Sequence, residues 1–245
     1  KMDLKNKLKK KKLNLHNLET TDKHKRLLAA EEKAKKLFDE ILIKKFIEPG
    51  ISENELSLKI QKLAYNMFGI KQYWHKRIVR SGINTLCPYK ENPCNLVIKK
   101  DDILFLDFGP IFNGWEADLG RTYVLGNDPI KLKLLNDVEE CWHIALDYFN
   151  TKKNIIASDL YKFVCGLAEE RSWKFGNEHS GHLIGAFPHS KIDGDNFESY
   201  IHPQNHLPLK ASNKKGVELE WILEIHFISQ KYKIGGFFEQ LLIKK

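Results

Sequence analysis

The chain has 245 residues, of which 42% are hydrophobic, 11% aromatic and 29% charged, with a formal net charge of +8. That length and apolar share suit one large domain or two small ones, and the composition excludes a disordered or fibrous protein. No run approaches the ~18 consecutive apolar residues of a membrane span, and no apolar stretch follows the basic N-terminus to make a secretory signal.

The charge is unevenly placed. Seven lysines (1, 5, 7, 9, 10, 11 and 12) stand against Asp3 at the start, and the rest of the chain is close to neutral. Such an arm can meet nucleic acid or an acidic membrane surface through phosphate contacts, but residues 1–25 read as a solvated basic extension, and no aromatics are interleaved to stack single-stranded bases. Nucleic acid and membrane are therefore not expected as partners. The four cysteines (Cys87, Cys94, Cys141, Cys165) contain no CxxC pair. This suits reduced thiols and a cytoplasmic location.

Leu27, Ala30, Ala34, Leu37, Phe38, Ile41 and Leu42 recur at helical spacing and predict a first helix from about Thr21 to Phe46, closed by Glu48-Pro49-Gly50. Ser52 with Glu55 three residues later predicts the capping box of a second helix, which fades at Phe68-Gly69. Ile78-Val79 and Leu96-Val97-Ile98 read as short strands, and Ile103 to Phe108 as a buried one. Asn113-Gly114 signals a two-residue hairpin with a return strand from Trp115 to Leu125. Helices over Ile130–Phe149 and Ala157–Arg171, a loop, and strands over Trp221–Ser229 and Gly236–Ile243 complete an α+β single domain, residues 26–245, with no internal repeat.

The chemistry shows in acids placed where acids are costly. Asp107, Glu224 and Glu239 each interrupt an apolar strand. Burying an unpaired carboxylate costs several kcal/mol, so such groups are paired, protonated or bound to metal. Three of them with few arginines nearby favour a shared cation. If Asn113 and Gly114 are the loop residues, Asp107 faces Gly120, and Asp118 lies one diagonal step away on the same face, within reach of a common ion. A longer loop would shift that register. Histidines concentrate in His179, His182 and His189; the glycines around His182 mark a tight backbone approach. His202 and His206 read as surface or substrate-rim residues.

Together these residues resemble the pita-bread metallopeptidase family of methionine aminopeptidases, Xaa-Pro aminopeptidases, prolidases and creatinases. The resemblance rests on Asp107 in Leu-Asp-Phe-Gly, Asp118 eleven residues later, His182 and His189 seven apart, and strand glutamates Glu224 and Glu239, in family order. It covers roughly Arg26 to Ile243, with the extra N-terminal domain of full-length Xaa-Pro aminopeptidases expected to be absent. It implies a curved antiparallel sheet covered by helices, and two divalent ions, Mn first with Co, Fe or Zn as alternatives. Asp107 would hold one ion, His182 and Glu224 the other, and Asp118 and Glu239 both. Water bridging the ions would attack the scissile carbonyl, with Glu224 as proton shuttle and His189 on the substrate carbonyl or oxyanion.

Three departures bear on substrate preference. Tyr89 stands where many members carry a histidine, Ile225 where proline is common, and Phe237 where prolidase-like members often have arginine. Tyr89 is then the expected substrate contact. The resulting expectation is an aminopeptidase leaning to Xaa-Pro peptides, acting on a peptide substrate, with association into a homodimer left open. Methionine aminopeptidase is the alternative within the enzyme class, and a non-catalytic peptide-binding module the alternative outside it. Metal-free hydrolysis of a small guanidino compound, as in creatinase, is disfavoured by the retained acids.

Overall fold

The computed structural model describes residues 2–188, 197–212 and 216–243, and only the backbone of residues 2–21. Helix α1 spans Met2–Ile43, starting well before Thr21 and stopping short of Phe46. Its stripe packs as the spacing implies, with Ala30, Ala34, Leu37, Phe38 and Ile41 in one core cluster. Leu42 is the exception, half exposed at the helix end. The side chains of the lysine arm lie outside the described residues.

Helix α2 spans Glu53–Phe68 and starts with the expected box: Ser52 Oγ accepts from the Glu55 amide, and Glu55 accepts from the Ser52 amide. Gly69, at φ +68°, closes it in the left-handed conformation that glycine adopts at little cost. The first residue of α2 also ties down the next loop. Buried Glu53 accepts from the Ser81 amide at 2.6 Å, from Asn84 Nδ2 at 2.9 Å and from the Leu96 amide at 3.1 Å. A desolvated carboxylate with this many donors is fully compensated, and it fixes the Asn84–Tyr89 segment relative to the sheet.

The strands are β1 (Ile78–Ser81), β2 (Ile103–Phe108), β3 (Ile111–Phe112), β4 (Trp115–Glu116), β5 (Leu119–Val124), β6 (Lys174–Phe175), β7 (Gly181–Ile184), β8 (Glu220–Ser229) and β9 (Ile234–Leu241). Helices α3 (Pro129–Thr151) and α4 (Ala157–Glu170) come between β5 and β6. Seven strands form one antiparallel sheet in the order β1-β2-β5-β9-β8-β6, with β7 also paired to β8. β3 and β4 form the hairpin tip with Phe112 opposite Trp115, and the same register continues into β2 and β5, where Asp107 faces Gly120.

Three expectations about strands change. The return strand after the hairpin is broken at Ala117-Asp118, which frees Asp118 from the ladder. Leu96–Ile98 is not a strand; Val97 makes a single bridge to Ser52, and Ile98 bonds the backbone of Gly50 and Ile51. That segment clamps the α1–α2 turn, where Ile98 packs into the core while Val97 stays exposed. β6 and β7 lie in a stretch that reads as loop, since they are too short for a period-two signal.

Alternation along the strands separates two faces. Trp221, Leu223, Ile225 and Phe227 of β8 face the helices, packed with Val138, Trp142 and Leu160 in one cluster. Trp142 Nε1 donates to the Leu223 carbonyl at 2.8 Å. On β2, Leu104, Leu106 and Phe108 pack with α1 and α2. The opposite face carries Ile78, Phe105 and Phe237, with the Phe105 and Phe237 rings 5.2 Å apart, and it carries the acids. Both faces are buried, which explains why the strands read as continuous apolar runs.

Candidate metal centre

Register aligns three of the acids. Asp107 pairs with Gly120, Gly120 with Glu239, and Glu239 with Glu224, giving one row across β2, β5, β9 and β8. Cross-strand partners share a sheet face, so the carboxylates project together. Gly120 is required in the row: a Cβ there would lie 2.4 Å from the Phe237 ring and 2.9 Å from Glu239 Cβ. Asp107, Asp118, Glu224 and Glu239 are all at most 7% exposed.

Asp118 reaches the row from the break before β5. Its two oxygens face two different imidazoles: Oδ1 lies 3.1 Å from His75 Nε2, and Oδ2 lies 3.1 Å from His182 Nε2. His75 Nε2 is also 3.5 Å from Asp107 Oδ1, and His182 Nε2 is 3.7 Å from Glu239 Oε1. Among the described residues, His75, Asp107 and Asp118 form one donor group that could hold an ion, and Asp118, His182 and Glu239 form a second. His182 sits on β7, drawn against β8 by Gly181 at φ +141°; a Cβ on Gly181 would lie 2.0 Å from the Ile222 carbonyl oxygen.

Glu224 is in register with Glu239 but stands outside both groups. Its Oε1 is 2.6 Å from His179 Nδ1, and its Oε2 accepts a long hydrogen bond from Asn177 Nδ2 at 3.4 Å. Tyr89 lies at the rim, 43% exposed, with its ring 5.8 Å from that of His75. His189 lies outside the described residues. His202 stacks on Phe197 and His206 contacts Ser158 Oγ, and neither joins a donor group. Sequence reading missed His75 and gave His179 no role. His179 lay inside the marked histidine cluster, whereas His75, in the connection between α2 and β1, carried no local signal.

The electrostatics are those of too many acids in one dry place. Burial, reinforced by the neighbouring charges of Asp118 and Glu224, pushes Asp107 up to about 7, against the opposing pull of His75. Glu239 is raised well above the carboxylate range, by burial and then by Asp118 and Asp107. Burial works against protonation of His75, but Asp118 and Asp107 outweigh it and carry the ring up to about 9. Burial likewise opposes protonation of His182, and Asp118 and Glu239 raise it well above its ordinary value. Asp118, though buried, is held below the usual range by His75 and His182.

The residues fit a divalent metal. Among the described residues, Asp107 Oδ1 and Glu239 Oε2 are buried with no hydrogen-bond partner. Orphaned buried carboxylate oxygens are costly, and a cation among them would remove that cost. Carboxylate with imidazole suits Mn, Fe, Co or Zn.

The model of metallopeptidase family M24 matches residues 25–229. A Mycoplasma genitalium protein named "Putative Xaa-Pro aminopeptidase" is 30% identical over 149 residues, 59% of this chain and 41% of that protein. Methionine aminopeptidase A of Synechocystis is 25% identical over 159 residues, 59% of this chain and 58% of that protein. The chain thus spans about half the length of these curated relatives. The crystal structure of prolidase from Thermococcus sibiricus superposes with a TM-score of 0.66 at 26% identity, covering 88% of this chain and 55% of that one. Sheet, helices and matched family span agree: this chain, an α+β pita-bread fold, belongs to metallopeptidase family M24.

Proposed function

We propose that the chain is a dinuclear-metal aminopeptidase that releases the N-terminal residue of peptides, with preference for proline in the second position. The observation that carries this reading is the convergence of buried, unpartnered carboxylate oxygens of Asp107 and Glu239 on Asp118, with an imidazole on each Asp118 oxygen. Asp107 would hold one ion, His182 and Glu224 the other, and Asp118 and Glu239 would bridge. The ions would supply Lewis acidity and an activated water. Glu224, paired with Glu239 across the strands and 2.6 Å from the His179 imidazole, is suited to take a proton and return it to the leaving amine. The Trp74 ring lies 5.0 Å from that of His182, beside the donors.

The lean to proline rests on the relative named for Xaa-Pro cleavage and on the Asn84–Tyr89 segment held beside the site by Glu53. The test is release of free amino acid from short peptides. Proline, alanine or glycine stands second and methionine or another residue first, with protein stripped by chelator and reloaded with Mn, Co, Fe or Zn. Metal-dependent release from the proline set supports the proposal. Release only from Met-Ala and Met-Gly assigns a methionine aminopeptidase. Peptide binding without release under every metal assigns the binding module.

Metal uptake should depend on pH with a definite sign. In the metal-free protein, Asp107 at about 7 and His75 at about 9 both hold protons below neutrality. A cation needs the carboxylate ionised and the imidazole nitrogens bare, so protons compete with it. Affinity should rise as pH climbs from 7 toward 9, with proton release on binding. Titration calorimetry in two buffers of different ionisation enthalpy measures that release; heats independent of buffer would contradict it.

A further inference from the structure

We propose that His75 is itself a metal ligand, completing the position formed by Asp107 and Asp118, so that each of the two metal positions carries one imidazole. The inference rests on the two-ion reading above and extends it, because the five ligands read from the sequence contain a single imidazole, His182.

Three observations support it. The first is equivalence around Asp118, whose two oxygens each face an Nε2 at 3.1 Å, from His75 on one side and His182 on the other. The second is the tautomer. His75 Nδ1 lies 2.7 Å from the Lys76 carbonyl oxygen, and His182 Nδ1 lies 2.9 Å from the Leu183 carbonyl oxygen. A carbonyl can only accept, so in both rings Nδ1 carries hydrogen and Nε2 is the atom turned to the carboxylates. An imidazole that donates its other N–H to a backbone carbonyl has the arrangement usual for a metal ligand.

The third is that the approach of His75 is built. Gly109 follows Asp107-Phe108 at the strand end, and a Cβ there would lie 2.3 Å from His75 Cδ2 and 2.5 Å from Nε2. Trp74 fixes the backbone just before the ring, its amide donating to the Gly109 carbonyl at 3.0 Å and its indole N–H to the Ala117 carbonyl at 3.1 Å. The His75 side chain is only 6% exposed. A nitrogen donor at an otherwise all-carboxylate position would shift preference from Mn toward Co, Fe or Zn.

The test does not need activity. Chelator-stripped wild-type protein is loaded with two equivalents of Co(II), and the imidazole contribution is measured by X-ray absorption. Ligation by both His75 and His182 gives about one ring per cobalt, whereas His182 alone gives about half a ring per cobalt and overturns the proposal. His75→Ala should weaken one of the two cobalt equivalents by more than about tenfold, the scale set by loss of even an outer-sphere partner. Added free imidazole should restore it. Unchanged cobalt affinity in a folded His75→Ala protein, with a raised KM, would place the ring on substrate and overturn the proposal. Wild-type protein that binds no cobalt would remove the two-ion reading and this inference together, an outcome distinct from half a ring.

Discussion

Asp118→Asn should lower affinity for both divalent ions by more than about a hundredfold, roughly 2.7 kcal/mol, while leaving the metal-free fold intact. Asparagine keeps the shape and one acceptor, so one of the two imidazoles retains its partner. It loses the negative charge and one of the two oxygens on which both donor groups depend, since Asp118 is the residue they share. Buried at 2% exposure, it has no solvent to replace what is removed. Calorimetric titration with Mn or Co, beside thermal melting in chelator, separates the two effects. Wild-type affinity at both positions would reduce Asp118 to a structural acceptor for His75 and His182.

Glu224→Gln should cost about 10²- to 10⁴-fold in turnover at saturating metal, the range general acid–base groups contribute. The amide is nearly isosteric and keeps an oxygen for the Asn177 contact, yet it can neither take nor give a proton. Because Glu224 lies outside the two tight donor groups, the loss should appear in kcat more than in metal content. The check is kcat measured at several metal concentrations alongside metal per chain. Full turnover would remove the proton-transfer role. Lost turnover that recovers completely with excess metal would assign Glu224 to metal binding alone.

Why some of this could be read without coordinates, and some could not, follows from the range of each interaction. The capping box at Ser52 and Glu55 involves neighbours in sequence, and its signature held. The Asn113-Gly114 turn sets its own register, so Asp107 opposite Gly120 could be counted from the loop outward. Buried strands announce themselves as apolar runs, and an acid inside one is conspicuous because of its desolvation cost. Asp107, Glu224 and Glu239 were therefore visible, and the glycine before His182 marked the close approach of β7 to β8.

Long-range closure left no such trace. The sequence by itself determined the fold class, the helices and the long buried strands, and the acids that must be compensated, because period, turn chemistry and desolvation act over a few residues. Only the tertiary structure decided that β9 lies between β5 and β8, bringing Glu239 beside both Gly120 and Glu224. It alone broke the return strand at Ala117-Asp118 and swung His75, far from Asp118 in the chain, onto the second oxygen of that carboxylate. Those placements come from packing and pairing between distant segments, for which neither His75 nor its neighbours carry a local preference.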